Sequence, residues 1–444
     1  MRTTDNNGGK SVSKLKINID EPFNENDLIF LSNNTIDQLV NKENLLIFPQ
    51  VLNKEYKDID GFNKVFELES QGKDDYKLTT NNLMGFIGRN NTHLTISSRF
   101  YPNSDDYFLH YMLQKVFAIN IFDLKHTIEK ESVWDFLLYL FPFFLKKALN
   151  QGLYKEYKYN EYNDANVKGV IDLSKHIRTN NPFMGKVAYR TREHSFDNKI
   201  NQLVRHTIEY IQSHKFGSGI LTNDLDTHNA VSQIVFATPT YEKRSRINII
   251  NQNIKPFNHP YFTEYAFLQK ICLQILRREG LTYGKEKDKA YGLLFDGAWL
   301  WEEYLNTVLK DKFIHPENRT GKHPTKLFEN FQTIFPDFIS KDRSANRTIV
   351  ADAKYINLAI NEYGEEKALS IYYKTITYMY RFNSIKGYLF FPIEKETFTK
   401  TLKIKETIGT LTKVGLALQT QCTNYSEFCN EMSKSENEFI SKIA

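Results

Sequence analysis

The segment from Phe335 to Tyr355, FPDFISKDRSANRTIVADAKY, contains two acids and a lysine whose spacing suits a hydrolytic metal site. Asp337 lies in a short apolar run, and a polar turn separates it from an alternating run that contains Asp352 and Lys354. Because successive side chains of a strand point to opposite faces, Asp352 and Lys354 project from the same face, and a paired strand can bring Asp337 close to them. The sequence therefore predicts a hairpin that carries two carboxylates and an ammonium together.

The residues around Asp352 decide between two interpretations of these charges. An arbitrary Asp-x-Lys triplet is most often a solvated ion pair on a surface hairpin. The neighbouring strand residues here are apolar, namely Ile349, Val350, Ala351 and Ala353. Buried charges are costly unless they pair or hold a metal. Carboxylates suit Mg²⁺, which can lower the pKa of a bound water and stabilise charge on a phosphoryl oxygen. A nearby lysine can orient that water. We therefore expect a metal-dependent hydrolytic site.

The dipeptide Pro336-Asp337 and the D-A-K triplet at residues 352–354 together resemble the core of the PD-(D/E)xK nuclease superfamily. With the helix that precedes them, they resemble the McrC family, the nuclease subunits of modification-dependent restriction systems, with the LlaJI-type subunits included. Segments such as G-F-I-G and I-S-S-R-F extend the resemblance over roughly residues 83–392. The resemblance implies a Mg²⁺-dependent DNA endonuclease, with Mn²⁺ as a substitute, that acts with and stimulates a McrB-like AAA+ GTPase oligomer.

The superfamily also uses an acid from a preceding helix, and residues 293–309, LLFDGAWLWEEYLNTVL, supply a candidate. Apolar residues recur there at helical spacing and define one stripe. At about 100° per residue, Glu302 falls at the edge of this stripe, whereas Glu303 points further towards solvent. Glu302 is therefore the expected third acid, and Glu303 is the alternative.

The resemblance implies a role for each residue of the site. Asp337 and Asp352 would ligate the metal, and Glu302 would ligate it or assist. Lys354 would help the attacking water. The backbone carbonyl of Ala353 would also face the metal, as that position does in the superfamily.

Several cationic residues near the hairpin could contact a DNA backbone. The candidates are Lys322, Lys326, Lys341, Arg343, Arg347 and Lys374. Solvated loop charge is the default interpretation for each loop residue taken singly. Lys374 stands where the family often places a glutamine on the helix after the catalytic strand, and this departure removes no metal ligand.

Composition favours a globular protein without a membrane segment. The chain has 444 residues, 41% of them hydrophobic, and a net charge of +5 with a pI near 8.7, which is compatible with nucleic acid but does not prove it. Three cysteines without a C-x-x-C pattern argue against a zinc or disulfide framework and fit the cytoplasm. The N-terminal residues lack an apolar h-region, and no stretch approaches the roughly 18–20 apolar residues that cross a bilayer.

The order of candidate elements predicts a multidomain α+β protein. We expect a disordered lead-in at 1–14, a mixed α/β partner-docking domain at 15–130, a mainly helical region at 131–285 and an α/β PD-(D/E)xK domain at 286–444. A solvated linker is the favoured interpretation of the Tyr/Lys/Glu-rich strip that begins at residue 154. Residues 402–444 are expected to be mostly helical and peripheral.

The chain has no Walker motif, since residue 316 is proline and residue 323 is histidine around Gly321-Lys322. A motor activity would therefore come from the partner. Two alternatives stay open: a non-catalytic adaptor that activates an AAA+ NTPase, and a stand-alone nuclease. Cutting both DNA strands needs two active sites or two visits, so dimerisation of assemblies is one expected route.

Overall fold

The structure is a computed structural model that describes residues 1–13, 24–42, 44–49, 63–72, 75–90, 92–101, 106–117, 132–214, 217–222, 224–277, 290–316, 325–329, 331–343, 348–359, 365–394 and 396–443. The fold is mixed α/β. It divides into two compact units, the first formed by Met1–His126 with Glu286–Ala444 and the second by Thr127–Lys285. No helix within the described ranges is long and apolar enough to span a membrane.

The strands, in chain order, are β1 (Arg2–Thr4), β2 (Lys10–Ser13), β3 (Asn44–Phe48), β4 (Phe66–Ser70), β5 (Asp75–Thr80), β6 (Leu83–Arg89), β7 (Thr92–Ser97), β8 (Glu156–Asp164), β9 (Val170–Ile171), β10 (Val187–Ser195), β11 (Ala290–Asp296), β12 (Phe313–Ile314), β13 (Thr325–Lys326), β14 (Thr333–Ile334), β15 (Phe338–Ser340), β16 (Ile349–Ala353), β17 (Lys386–Glu394), β18 (Phe398–Lys403) and β19 (Thr410–Leu418).

The helices are α1 (Glu25–Asn33), α2 (Ile36–Lys42), α3 (Tyr107–Phe117), α4 (Ser132–Leu149), α5 (Leu173–Thr179), α6 (Lys199–Ser213), α7 (Gly217–Thr222), α8 (Leu225–Ala237), α9 (Arg246–Gln252), α10 (Glu264–Arg277), α11 (Gly297–Leu309), α12 (Glu365–Arg381) and α13 (Tyr425–Ser441). A short 3₁₀ turn covers Lys243–Ser245.

A five-stranded sheet in the first unit joins distant parts of the chain in the order β1-β7-β6-β11-β3. β6 and β7 form the predicted hairpin, and Asn90 in its turn has a φ of 49°, a value that asparagine tolerates. β11 pairs antiparallel with β6 and parallel with β3. Leu28, Leu94 and Leu294 belong to one buried cluster beneath this sheet. A smaller sheet, β2-β5-β4, belongs to the same unit.

A six-stranded sheet in the order β12-β15-β16-β17-β19-β18 forms the C-terminal part of the first unit. β16, β17 and β19 run parallel, whereas β15 and β18 are antiparallel to their neighbours. α12 connects β16 to β17 and packs against both strands, as a parallel pair requires of its crossover. This sheet and α12 position the candidate site.

Helix α11 leaves β11 directly, because Asp296 ends the strand and caps the helix through its side chain. Its apolar stripe is buried at Leu300, Trp301 and Tyr304, as the periodicity predicts. The hydroxyl of Tyr304 donates to the buried Glu436 of α13, at 2.8 Å. α11 is therefore held at both its start and its middle.

The second unit combines helices with one small sheet. α6 and α10 pack together, and α10 also packs on α4. The apolar segment of α4 is largely buried between Leu137 and Ala148, as expected for a core helix. A three-stranded antiparallel sheet, β8-β10-β9, lies in the same unit.

Three expectations from the sequence are wrong. Residues 1–13 contain β1 and β2 rather than a disordered lead-in, because β1 pairs with β7 and β2 with β5. The strip after residue 154 forms β8, which pairs with β10 along its whole length, rather than a linker. Residues 402–418 complete β18 and form β19, and β19 is buried in the six-stranded sheet. β1 and β2 pair with strands that lie more than 60 residues away in sequence, whereas β18 and β19 form a local hairpin.

The structure also divides the chain differently from the sequence. The predicted helical region, 131–285, falls inside the second unit. The segments predicted as separate domains at 15–130 and 286–444 lie together in the first unit, since β11 completes the sheet formed by the N-terminal strands.

Candidate active site

The candidate site lies where β15 and β16 pair. Phe338 is opposite Ala351, and Ile339 is opposite Val350. This register places Asp337, one residue before β15, opposite Asp352 in β16. Antiparallel pairing is what a hairpin of two apolar runs and a polar turn predicts, so the expected hairpin is confirmed.

Asp337 is a buried acid that is held by the backbone. Its Oδ2 accepts a hydrogen bond of 2.8 Å from the main-chain amide of Ala353. Burial raises the pKa of Asp337 well above its usual range, and the charges of Asp352 and Glu302 raise it further. Lys354 lowers this pKa but does not offset the other effects. Asp337 therefore binds a proton more tightly than an ordinary aspartate does.

Asp352 is fully buried and lies between two lysines. Its Oδ2 pairs with the ammonium of Lys354, and its Oδ1 is 3.6 Å from the ammonium of Lys374. Burial alone raises the pKa of Asp352, but Lys354, Lys374 and a hydrogen bond from Asp337 together bring it below its usual value. The pKa values of the two acids are thus shifted in opposite directions, upwards for Asp337 and downwards for Asp352.

Lys354 lies just after the end of β16, and it makes two hydrogen bonds to main-chain carbonyls. Its amide donates to the carbonyl of Phe390 at 2.8 Å. Its ammonium donates to the carbonyl of Ala353 at 3.1 Å, as well as pairing with Asp352. Burial lowers the pKa of Lys354, but Asp352 and Asp337 outweigh it and raise the pKa above its usual value. Lys354 is therefore a cation that faces both acids.

Lys374 brings a second ammonium to the site from α12. Its side chain is 45% exposed, and its ammonium lies 5.6 Å from the centre of the Tyr378 ring. Burial lowers the pKa of Lys374, but the acids Asp352, Asp337 and Glu302 raise it overall. Lys374 thus reaches from the solvent side into the charge cluster.

Glu302 and Glu303 face different partners. The charge of Glu302 raises the pKa of both Asp337 and Lys374, so it acts on the hairpin cluster. Glu303 Oε1 lies 3.8 Å from Nε2 of His315. Among the described residues, however, no three side chains of His, Cys, Asp or Glu are grouped closely enough to hold a metal ion. The full ligand set of Glu302, Asp337 and Asp352 stays a prediction.

The donor set nevertheless fits a hard cation. Asp337 and Asp352 are buried and face each other, and the charge of Asp352 adds to the effect of burial in raising the pKa of Asp337. A divalent cation bound by oxygen ligands would remove that repulsion. The carbonyl of Ala353, the predicted backbone ligand, is occupied by the ammonium of Lys354 in this structure.

Sequence reasoning missed His315, which follows β12. Its Nδ1 lies 2.7 Å from the carbonyl oxygen of Asp337, and its ring packs against Phe338. Burial lowers the pKa of His315, but hydrogen bonding to Glu303 raises it overall. A single histidine beside a proline has no distinguishing spacing, so only the strand pairing of β12 with β15 reveals the contact.

The residues predicted to contact DNA differ in exposure and in the elements that carry them. Lys341 and Arg343 are exposed in the turn after β15. Lys326 lies in β13, where its ammonium donates to Thr333 at 2.9 Å. Lys322 and Arg347 lie outside the described residues.

The fold and site define a mixed α/β protein with a cluster of acids and lysines where two inner strands of a six-stranded sheet pair. The family model for the McrBC 5-methylcytosine restriction system component matches residues 78–392, more than two thirds of the chain. The chain therefore belongs to the McrBC family, and the family resemblance seen in the sequence is confirmed.

Two solved structures are similar to this chain. One is a half-complex refined from a tetradecameric assembly of Thermococcus gammatolerans McrB AAA+ hexamers with bound McrC, with a TM-score of 0.49, 13% identity and coverage of 100% of both chains. The other is the Thermococcus gammatolerans McrBC complex seen by cryo-EM, with a TM-score of 0.32, 14% identity and coverage of 70% of this chain and 87% of that chain. No curated protein matches the chain in sequence.

Proposed function

We propose that this chain is the Mg²⁺-dependent DNA endonuclease subunit of a McrBC-like restriction system that defends against phage, with Mn²⁺ able to substitute. The observation that carries the proposal is the pairing of β15 with β16, which brings Asp337, Asp352 and Lys354 together in a buried cluster. Membership of a restriction-system family supports DNA as the substrate.

The ligands would be Asp337 and Asp352, with Glu302 and the carbonyl of Ala353 completing the set. When bound, Mg²⁺ would supply positive charge that stabilises the charge developing on a phosphodiester. Asp337 would release its proton as the cation enters, because the added positive charge would offset the burial and the neighbouring acids that raise its pKa.

Lys354 would orient the attacking water and offset negative charge beside the scissile phosphate. Its high pKa keeps the ammonium charged at neutral pH, so it acts as a charge and hydrogen-bond donor rather than as a base. Lys374, which reaches the cluster from α12, would contact a phosphate next to the site. The flanking DNA backbone would contact Lys322, Lys326, Lys341, Arg343 and Arg347.

The motor would be a McrB-like AAA+ GTPase oligomer that this chain binds and stimulates, since the chain has no nucleotide-hydrolysing motif of its own. The family's description as one component of a restriction system supports a multi-protein assembly. We place the system in the cytoplasm, with two assemblies dimerising to cut both strands.

A plasmid-cleavage assay tests the proposal. The wild-type chain, purified AAA+ partner, GTP and Mg²⁺ are incubated with 5-methylcytosine-containing or unmodified plasmid. We expect the wild type to cleave the plasmid. We expect Lys354→Ala to cleave it about a thousandfold more slowly, because the variant lacks a group that acts on the transition state. Lys434→Ala is the matched control, because Lys434 is an exposed lysine of α13 that pairs only locally with Glu431.

The same assay separates the alternatives. Equal cutting by the wild type and Lys354→Ala would rule out this site and leave the chain as an adaptor of the motor. Cutting without the partner would show a stand-alone nuclease. Asp352→Asn, which keeps the side-chain shape while removing its charge, provides a second loss-of-function variant.

A further inference from the structure

The end of β16 is connected to the N-terminal sheet through Arg99. The guanidinium donates from Nη1 to Oδ2 of Asp5 at 2.8 Å and to Oδ1 of Asn82 at 3.0 Å. From Nη2 it donates to the carbonyl of Tyr355, the residue that follows Lys354. The amide of Arg99 donates to the other oxygen of Asp5 at 2.6 Å. One side chain therefore joins three separate parts of the chain.

Tyr355 is held on several sides besides its carbonyl. Its hydroxyl lies 2.6 Å from Oγ of Ser98, and its ring contacts Phe100 edge-on with centroids 4.9 Å apart. The guanidinium of Arg99 also lies over its ring, 4.7 Å from the centre. Tyr355 is buried, so these contacts define its position with little freedom.

The same contacts reach the start of α11. A Cβ atom added to Gly297, the first residue of that helix, would lie 2.9 Å from Cε1 of Tyr355. The amide of Gly297 donates to the carbonyl of Asn82 at 2.7 Å. Asn82 thus contacts both Arg99 and α11, the helix that carries Glu302. A glycine is required where the ring and the helix approach this closely.

The ion pair between Arg99 and Asp5 is buried, so both charged groups have lost hydration free energy. The side chains are 14% and 0% exposed, respectively. A buried ion pair often adds little net stability compared with apolar residues of similar volume, because both charges lose their hydration. A guanidinium, however, can donate to a carboxylate and to a carbonyl at the same time in a fixed plane. The geometry therefore allows Arg99 to fix the carbonyl of Tyr355 relative to Asp5.

We infer that Asp5 and Arg99 form a positioning pair that fixes the end of β16, and with it Lys354, against the start of α11. The inference rests on the proposed function, in which Lys354 acts on the phosphodiester. Lys354 lies between two main-chain anchors, its own amide bond to Phe390 and the bond from Arg99 to the carbonyl of Tyr355. The described contacts of Arg99 include its bond to the carbonyl of Tyr355 and none to the acids of the site, so we expect it to act through the backbone.

A second buried pair in the same unit provides a matched control. Arg89 Nη1 lies 3.0 Å from Oδ1 of Asp27, with exposures of 15% and 4%, and its guanidinium lies 4.0 Å from the Phe30 ring centre. Length, burial and the aromatic contact therefore match those of the pair between Arg99 and Asp5. The described contacts of Arg89 do not include the end of β16.

The test uses hydrogen exchange on the full chain without metal, partner or DNA. In Arg99→Met, the amides of Ala353 and Lys354 should exchange at least about tenfold faster than in the wild type, because a local anchor is lost. In Arg89→Met these two amides should keep their wild-type rates. Arg99→Lys separates charge from geometry: it keeps the attraction to Asp5 but lacks the planar fork, so the same two amides should still exchange faster.

Cleavage provides the second readout. With partner, GTP and Mg²⁺, Arg99→Lys should lower kcat by roughly tenfold, equivalent to about 1.4 kcal/mol of lost positioning, with KM near the wild-type value. Arg89→Met should cut at the wild-type rate. If Arg99→Met does not fold, Asp5→Asn takes its place, since the amide keeps one acceptor for Arg99.

Unchanged exchange at Ala353 and Lys354 in both Arg99 variants would overturn the inference, as would equal acceleration in the Arg89 control. Failure of the wild type to cleave would instead reject the proposed function. The exchange measurement needs no cleavage, so these two failures are distinguishable.

Discussion

The main-chain amide of Ala353 donates to Oδ2 of Asp337 across the pair of β15 and β16. Ala353 lies between Asp352 and Lys354, so the backbone that carries these two side chains also holds Asp337, the third ionisable group. The bond orients Asp337 towards the cluster, while burial and repulsion by the neighbouring acids raise its pKa. A cation that enters the site would therefore meet oriented ligands and would have to displace one proton.

Asp337→Asn should stabilise the metal-free chain and remove its response to metal. A folded-state pKa above the unfolded value gives stability that is present below the unfolded pKa and lost as pH rises through the folded pKa. Asparagine avoids that loss, so near pH 8 its Tm should exceed that of the wild type by about 2 °C. Millimolar Mn²⁺ should raise the Tm of the wild type only.

Scanning calorimetry near pH 5 and near pH 8, with and without Mn²⁺, checks this expectation. The wild-type response to Mn²⁺ should grow with pH, because cation and proton compete for Asp337. A variant that is less stable than the wild type at every pH, or that responds equally to Mn²⁺, would contradict it.

Glu302→Gln and Glu303→Gln should separate the two neighbouring acids. Glu302→Gln should lower cleavage by about tenfold or more, because it removes a charge that acts on Asp337 and Lys374. Glu303→Gln should keep cleavage within roughly twofold of the wild type. Initial rates of plasmid cleavage measure both effects, and the opposite ranking would exchange the roles of the two residues.

Glu303→Gln should also lower the pKa of His315, which hydrogen bonding to Glu303 now raises. A histidine with a raised pKa adds stability below its unfolded pKa, and this stability is lost as pH rises through the folded value. The variant should therefore be less stable than the wild type near pH 5.5 and equally stable near pH 9. Histidine NMR and urea unfolding at the two pH values measure these changes, and a pH-independent loss would contradict the pairing.

Lys374→Gln should increase affinity for Mn²⁺ and decrease affinity for DNA. Its ammonium lies 3.6 Å from Asp352 and competes with a cation for the same carboxylate. The change in metal affinity should be roughly two- to fivefold, as for a partly exposed ion pair. Calorimetric titration with Mn²⁺ and DNA binding in a metal-free buffer measure the two effects. Lys400→Gln, at an exposed position of β18, serves as the control. Weaker Mn²⁺ binding by the variant would contradict the competition.

Asp5→Asn should change how stability depends on pH. Burial raises the pKa of Asp5 to about 6, although Arg99 and backbone hydrogen bonds oppose the shift. The stability from protonated Asp5 is present below its unfolded pKa and is lost as pH rises through about 6. Relative to Asp5→Asn, the free energy of unfolding of the wild type should fall by about 3 kcal/mol between pH 3.5 and pH 7, since one pKa unit is about 1.36 kcal/mol.

Urea unfolding of both proteins across this range provides the measurement. Arg99 and Tyr355 are the charged and titratable neighbours of Asp5 that enter the comparison. A constant difference in unfolding free energy between the two proteins would show that Asp5 keeps its ordinary pKa.

The sequence predicted the hairpin of the site because its signals are local. Alternation around Asp352 and the polar turn before it specify two strands, and the apolar stripe of α11 places Glu302 at its edge and Glu303 further towards solvent. The contacts of His315 and Arg99 could not be predicted in this way. Each depends on a pairing between strands or sheets whose residues are far apart in sequence.

β19 shows the same limit in the fold. Its residues, TLTKVGLAL, form a buried strand that carries Lys413, whose ammonium donates to the carbonyl of Leu358 at 3.2 Å. A lysine inside an apolar run lowers the local signal for a buried strand, and its partners, the carbonyl of Leu358 and the ring of Tyr372, lie far away in sequence. The parallel pairing of β19 with β17 could not be predicted either, because it depends on the path of the chain between the two strands.

The position of β11 between β6 and β3 has a consequence for biosynthesis. β3, β6 and β7 leave the ribosome early, but residues 98–289 must be translated before their missing neighbour exists. At roughly 5–20 residues per second this delay lasts about 10–40 s. Throughout it, the open edges of β3 and β6 can pair with other nascent chains. Chaperone supply during translation should therefore limit the yield of this protein.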